Sequence, residues 1–199
     1  MSCVKSKQYK MKLISTIILI LGFSIICYSQ ENKDERLTYA DVTKLDSSIL
    51  ATDLYVRARA WFAEKYVSAN DVIQMEDKEN GLIIGKGKIK YTSDIFYGSE
   101  GTKGSIQYTI KVSVRQGRYR YEVTDFIHEG NPFNSAGQFS FGLITNSETC
   151  PYDFKFGSQK WSDKVWADIK KTIESNTPRH IESLKKDMSK PSKATADDW

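Results

Sequence analysis

Cysteine is scarce in this sequence of 199 residues, which has only three. Cys3 and Cys27 lie within the first 29 residues, which have the pattern of an export signal, and Cys150 is the single cysteine of residues 30–199. One cysteine excludes an intramolecular disulfide framework, so a packed core must hold the fold together. We expect Cys150 to be buried and unreactive, because it precedes Pro151 and has no obvious catalytic partner, such as a histidine, nearby.

Histidine is scarcer still, with two residues. A zinc site needs several His, Cys or carboxylate ligands at short spacing, and the sequence DFIHE around His128 does not supply them. Alternation along its strand predicts His128 on the solvent-exposed face together with Arg118 and Arg120, and His180 is expected near a helix start. Both histidines are therefore predicted to be solvated, and the sequence predicts no metal and no cofactor.

Nucleotide-binding and catalytic motifs are also lacking. The glycines of NGLIIGKGKIKY, residues 80–91, suggest a phosphate loop, but a Walker motif requires Gly-x4-Gly-Lys-Ser/Thr followed by a helix. Gly81 and Gly85 have three residues between them, and Gly87 stands where Ser or Thr is required. A Gly-x-Ser-x-Gly elbow is absent from the sequence. An enzyme is therefore not favoured, although a triad assembled from distant residues stays open.

An uninterrupted uncharged run, rich in isoleucine and leucine, extends from Leu13 to Tyr28 and follows four lysines at positions 5, 7, 10 and 12. A small-x-small pattern then precedes Gln30. This layout predicts a signal peptide over residues 1–29, cleaved near Ser29, and an exported protein that is periplasmic or secreted. Lipidation at Cys27 is the less favoured alternative, because a bulky isoleucine precedes the cysteine. Met11 is an alternative start of the same signal.

The signal lysines also explain the net charge of the chain. The formal charge of +4 equals those four residues, so residues 30–199 carry 25 basic and 25 acidic side chains. The basic pI therefore does not indicate nucleic-acid binding. The 170 residues that remain are enough for one domain with a substantial core.

Hydrophobic periodicity predicts one α+β domain over residues 37–188, after a charged spacer at 30–36 and before a disordered tail at 189–199. The predicted elements are a strand at 37–42, a helix at 49–67 capped by the oxygens of 46–48, strands at 72–76, 82–91, 105–115 and 118–127, and a helix from about residue 162. Pro178 either kinks that helix or begins another. Residues 129–158 are irregular and rich in aromatic residues. Those aromatics form either a contact surface or a lid over the end of the core.

A period of two assigns the strand residues to two faces. Gly85 and Gly87 are predicted to point inward as a floor for a bulky aromatic residue, with Trp61 as the candidate. The opposite, wet face collects basic residues and few acids such as Glu76 and Glu122. This candidate binding face comprises Lys86, Lys88, Lys90, Lys111, Arg115, Arg118 and Arg120. It could attract an acidic glycan or a lipid head group; the simpler interpretation is that these residues only solvate an open sheet.

The order of elements and three stretches resemble a known family. The stretches are LYVRARAWFAEKY, VIQMEDKENGLIIGKGKI and IQYTIKVSVRQGRYRYEVTDFIHE. They resemble the secreted bacterial domain of unknown function with a TATA-binding-protein-like (TBP-like) fold, over about residues 40–128. The resemblance implies a β-α-β4-α architecture with helices on one face of an antiparallel sheet, and it implies no catalytic residues.

These observations favour a non-catalytic binding or interaction module of the periplasm or cell envelope. Its expected partner is an acidic envelope component or another envelope protein. Nucleic acid is not an expected partner, and no membrane span is expected after cleavage. The alternative is a hydrolase of envelope polymers with a site in residues 129–158.

Overall fold

The computed structural model describes residues 35–66, 72–93, 95, 99–132, 137–155 and 157–191. All of them lie within one compact unit, Lys33–Trp199. The predicted signal peptide, most of the spacer and residues 192–199 of the predicted tail lie outside the described residues.

A six-stranded antiparallel sheet forms the body of this unit, and helices pack on one of its faces. The strands are β1 (Tyr39–Lys44), β2 (Ile73–Asp77), β3 (Leu82–Tyr91), β4 (Gly104–Arg115), β5 (Arg118–Gly130) and β6 (Gly142–Leu143). The helices are α1 (Ala51–Lys65), the short α2 (Ser99–Thr102) and α3 (Gln159–Ser189). The strand order is β1-β5-β4-β3-β2, and β6 pairs with β5. The predicted α+β class and TBP-like arrangement are confirmed.

Tight turns join the central strands in the places that the sequence predicts. Gly81 adopts φ 65° and Gly117 φ 67°, a region that favours glycine. The Asn80 side chain donates a hydrogen bond of 2.7 Å to Asp77 and closes the β2–β3 turn. These turns set a register in which alternate residues of β4 are buried, as the pattern predicts.

The core lies between the sheet and the two long helices. The side chains of Trp61 in α1 and Trp166 in α3 are almost fully buried. Each indole N–H has a partner: Trp61 donates to Ser183 Oγ at 3.1 Å, and Trp166 donates to the Ser147 carbonyl at 2.8 Å. Large aromatic residues can be buried here because their polar atoms are satisfied. We therefore regard the helix-covered side as structural.

Both long helices differ from their predicted limits. Helix α1 begins at Ala51, and its N-cap residue is Leu50, whose apolar side chain cannot accept a hydrogen bond. The predicted capping oxygen of Asp46 instead accepts hydrogen bonds from Ser48 in a local turn before the helix. Helix α3 is one helix of 31 residues that continues through Pro178. Side chains near the proline, such as Asn176, which donates to the Thr172 carbonyl at 2.8 Å, supply hydrogen bonds to the main chain there.

Gly85 and Gly87 point inward as predicted, but Trp61 is not the aromatic residue above them. A Cβ atom at Gly85 would lie 2.6 Å from Phe62 Cε1, and one at Gly87 would lie 2.3 Å from Tyr108 Cζ. Phe62 reaches the sheet from α1, whereas Tyr108 lies opposite Gly87 on β4. Each glycine therefore makes room for a different ring.

A β-bulge in β5 reverses the alternation on which the prediction for His128 depended. Gln107 lies opposite Ile127 and Thr109 opposite Thr124, so two residues of β5 face the single residue between them on β4. Asp125, in the bulge, has φ 55° and is the only non-glycine residue with positive φ among those described. The extra residue turns His128 inward, where it is fully buried. The prediction that His128 is solvated is wrong.

The buried His128 ring is a neutral hydrogen-bonding group. Its Nδ1 accepts from the Phe141 N–H at 3.1 Å, and its Nε2 therefore carries the proton and donates to the Thr102 carbonyl at 2.9 Å. Burial lowers the pKa of His128 to about 4. His180 was also predicted to be solvated, but it lies half-buried within α3 against Tyr108, and burial and the Lys65 charge lower its pKa. Both histidines serve packing.

Candidate functional site

The face of the sheet away from α1 and α3 carries the predicted basic residues. All seven of them lie on this outer face, six exposed and Lys111 half-buried. Their inward neighbours in β3, β4 and β5 are buried, so alternation along each strand directs the charged side chains outward.

Three lysines form a ladder along β3. Lys86, Lys88 and Lys90 are exposed and occupy alternate positions of the strand. The Cα atoms of successive lysines are therefore about 7 Å apart along the strand. The residues opposite them on β4 are the uncharged Thr109, Gln107 and Ser105. None of the three lysines forms an ion pair with a described residue. The ladder is therefore a row of uncompensated positive charge.

A second basic group lies at the β4–β5 turn. Arg118 is directly opposite Arg115 on one side and Lys44 of β1 on the other. Like charges in directly opposed positions destabilise a sheet, and none of the three forms an ion pair among the described residues. Sequence reasoning missed Lys44 because the first strand was predicted to end at residue 42. The alternation of Ala40, Val42 and Lys44 was the available signal.

The acidic residues on the outer face are not the ones that the sequence suggested. Glu76 was predicted there, but it lies opposite the buried Ile83 on the helix side and accepts a hydrogen bond of 2.9 Å from Arg59 of α1. That part of the prediction is wrong. Glu122 does lie outward and pairs with Arg120 at 2.9 Å.

The bulge in β5 adds two acids to this face. Asp125 pairs with Arg36 at 2.7 Å, and the exposed Glu129 accepts a hydrogen bond of 2.8 Å from Gln107. Basic residues still outnumber acidic ones on the outer face.

Apolar side chains interrupt the basic surface. Val42 is 50% exposed, Met75 47% and Ile127 38%, and these are three of the five large hydrophobic side chains that are exposed in the described residues. By strand pairing, all three point to the outer face. A surface that only kept the sheet soluble would not need them, although single exposed apolar residues are common.

A shallow depression of about 370 Å³ lies on the outer face at the β-bulge, and we call it the bulge depression. Its lining includes Arg36, Lys86, Gln107, Thr109, Asp125, Ile127 and Leu143. Arg36 Nη1 donates to Asp125 Oδ1 at 2.7 Å, and the hydroxyls of Thr38 and Thr124 share a hydrogen bond of 2.8 Å beside it. This depression could not be predicted from the sequence, because a β-bulge at a non-glycine residue has no clear sequence signal.

The aromatic segment predicted as irregular closes one end of the core. Phe141 is fully buried, and its ring lies 4.6 Å from that of Phe154 and 6.0 Å from that of Trp161. Burial raises the pKa of the Cys150 thiol, so the nucleophilic thiolate is disfavoured. The described residues of 129–158 therefore favour the core-closing interpretation and give the hydrolase alternative no support.

In the described part of the chain, no three His, Cys, Asp or Glu side chains are placed to hold one metal ion. None of the helices in that part is both long and apolar enough to cross a membrane.

An antiparallel sheet with two long helices on one face and an open opposite face defines a TBP-like domain. Residues 39–129 match the family described as a domain of unknown function (DUF4468) with TBP-like fold. No curated protein matches the chain.

Two solved structures share this fold. A TBP-like protein from Parabacteroides distasonis has 15% sequence identity and a TM-score of 0.52, over 80% of this chain and 97% of that one. A DUF4468 family protein from Bacteroides ovatus has 12% identity and a TM-score of 0.53, over 85% of this chain and 94% of that one. Identities this low show the fold alone, so function must be argued from the surface.

Proposed function

We propose that this protein is an exported, non-catalytic binding module whose outer sheet face binds an anionic component of the cell envelope. The observation that carries the proposal is the concentration of unpaired cations on one face of a chain whose residues 30–199 are formally neutral. The lysine ladder and the Arg115–Arg118–Lys44 group lie on that face, while both long helices lie on the other.

The arrangement of charge on the outer face is the strongest support for a role of this face in binding and not in solubility alone. A solvating surface usually mixes the two signs of charge. Here Arg118 has a cation on either side, which is an unfavourable arrangement for folding. A bound anion would relieve this repulsion, and a cluster of one sign of charge attracts ligands of the opposite sign.

Export is the second part of the proposal, and it depends on the signal-peptide pattern of residues 1–29. It determines which anions are relevant: acidic polysaccharides and lipid head groups of the envelope. The proposal does not extend to hydrolysis, since Phe141 and Tyr152, two described aromatic residues of the 129–158 segment, pack against tryptophans of α3.

Binding can be measured with the chain expressed without residues 1–29. Polygalacturonate represents an acidic glycan, phosphatidylglycerol vesicles represent an anionic lipid surface, and dextran is the neutral control. The test variant is the triple reversal Lys88→Glu, Arg118→Glu and Arg120→Glu. We expect the unmodified protein to bind at least one anionic probe with salt-dependent affinity, and the triple variant to lose that binding while remaining folded.

A matched reversal on the helix side separates the outer face from overall charge. Lys164, Lys171 and Lys186 are exposed on α3, and changing all three to glutamate alters the net charge by the same amount. We expect this variant to retain most of the binding. If both triple variants lose the same amount of binding, net charge alone explains the loss and the outer face has no special role. If the unmodified protein binds neither anionic probe, the proposal is refuted.

A further inference from the structure

The bulge depression combines features that a flat sheet does not offer. Five polar side chains of different chemistry line it: the guanidinium of Arg36, the ammonium of Lys86, the amide of Gln107, the hydroxyl of Thr109 and the carboxylate of Asp125. Ile127 and Leu143 add an apolar wall. Small-molecule sites commonly join a few convergent polar groups to apolar surface in this way.

The bulge creates this depression at a cost to the fold. Asp125 adopts φ 55°, a conformation that is unfavourable for most residues other than glycine. Glycine at this position would form the same bulge without strain. An aspartate thus occupies a position whose backbone conformation would suit glycine better. Residues in such backbone conformations cluster at binding and active sites.

The polar atoms of the bulge depression that can still form hydrogen bonds or ion pairs indicate which chemical groups a ligand should carry. Asp125 Oδ1 is held by Arg36, while its Oδ2 has no described partner and can accept from a hydroxyl. Lys86 is exposed and has no ion pair among the described residues, so it can bind a carboxylate. Gln107 donates its amide to Glu129 at 2.8 Å, which leaves the amide oxygen as an acceptor.

We propose that the bulge depression binds a sugar-acid residue, such as a uronic acid, of an acidic glycan. The carboxylate of the sugar lies at Lys86, its hydroxyl groups donate to Asp125 and Gln107, and the C–H face of its ring packs on Ile127. A lipid phosphate would use Lys86 but not the hydroxyl acceptors. This inference rests on the proposed function and narrows it to one chemistry and one place on the outer face.

Trigalacturonate, observed by amide chemical shifts in NMR, tests the inference directly. We expect the largest shifts at residues 107–109 and 125–127. Lys86→Gln and Asp125→Asn should each weaken binding about tenfold or more, the usual effect of losing a hydrogen bond to a charged group. Lys90→Gln is the matched control, because Lys90 is an equally exposed lysine of the same strand, and it should change the affinity less than about twofold.

Two further comparisons distinguish loss of the site from misfolding of a variant and from general anion binding. Asp125→Gly suits the left-handed backbone, so we expect this variant to fold at least as well as the unmodified protein and still to lose binding. Acetate and a neutral galactose trisaccharide should each shift these amides far less than trigalacturonate. An equal response to acetate would indicate a general anion site and would overturn the inference.

The outcomes also separate this inference from the proposed function. If polygalacturonate binds and the triple reversal abolishes binding, but Lys86→Gln and Asp125→Asn have no more effect than Lys90→Gln, the outer face is functional and the bulge depression is not its site. If neither polygalacturonate nor anionic vesicles bind the unmodified protein, the proposed function itself fails.

Discussion

Gly87 of β3 lies directly opposite Tyr108 of β4, and the tyrosine ring occupies the space that a side chain at position 87 would need. A Cβ at Gly87 would approach Tyr108 Cζ to 2.3 Å. The Tyr108 hydroxyl is 3.0 Å from that of Tyr66, just after α1. The glycine thus lets one ring lie flat on the sheet and reach a partner from the helix layer.

Gly87→Val should therefore destabilise the fold by about 1–3 kcal/mol through overpacking against Tyr108. Urea unfolding measures the loss. In a Tyr108→Leu background the same substitution should cost less, because the obstructing ring is gone, and the double-mutant cycle should show clear coupling. An unchanged free energy of unfolding in Gly87→Val would contradict the assigned packing.

Stability should depend on pH through His128. Its pKa is about 4 in the folded protein and 6.5 when unperturbed, so the unfolded chain binds more protons between these values. The neutral ring then contributes stability that is fully present above pH 6.5 and is lost as the pH falls towards 4. The loss from this group is on the order of 3 kcal/mol.

Chemical denaturation at several pH values checks this dependence, in a His180→Gln background that removes the other histidine. His128→Asn should abolish the slope while lowering stability at pH 7, since asparagine can still accept from Phe141 but does not reach the Thr102 carbonyl. A slope that persists in His128→Asn would assign the titration to other groups.

Arg118→Glu should make the fold more stable even as it weakens binding. The substitution replaces two like-charge contacts, with Arg115 and Lys44, by attractive ones. A gain of about 0.5–1 kcal/mol is expected at low salt, and it should shrink at high ionic strength because exposed charges are screened. A loss of stability, or a gain that salt does not affect, would show that the three cations do not repel one another in solution.

The buried Arg57 should matter far more than its exposed neighbour Arg59. Arg57 Nη1 donates to the Met188 carbonyl at 2.9 Å and so binds the last turn of α3 to α1. Arg57→Met should cost about 1–3 kcal/mol and speed amide hydrogen exchange in residues 186–189. Arg59→Met removes only a surface ion pair with Glu76 and should cost less than about 1 kcal/mol. Equal effects would contradict the burial of Arg57.

Alternation and turn residues were enough to predict most of the sheet and the place of the basic residues on it. Strand β3 has the predicted limits, and its lysines point outward while Gly85 and Gly87 point inward. These predictions succeed because one face of a central strand must be buried, which leaves a single acceptable register.

The failures begin where one residue breaks the period. The bulge at Asp125 moves His128 from the exposed face to the core. At Pro178 the sequence left two alternatives open, and the structure excludes a second helix that begins there, because α3 continues through the proline. The ring above Gly85 was wrong because Phe62 and Trp61 are neighbours on α1, and sequence alone does not determine which of them faces the sheet. The ring above Gly87 was wrong because it comes from Tyr108 on the neighbouring strand and not from α1.

The proposed binding surface can be mapped residue by residue by NMR, with polygalacturonate added to the unmodified protein. The binding proposal predicts shifted amides along the outward positions of β3, β4 and β5, with the largest changes near Lys86 and Arg118. It also predicts little change in α1 and α3. Shifts concentrated on the helices, or no shifts at low salt with either polygalacturonate or anionic vesicles, would contradict it.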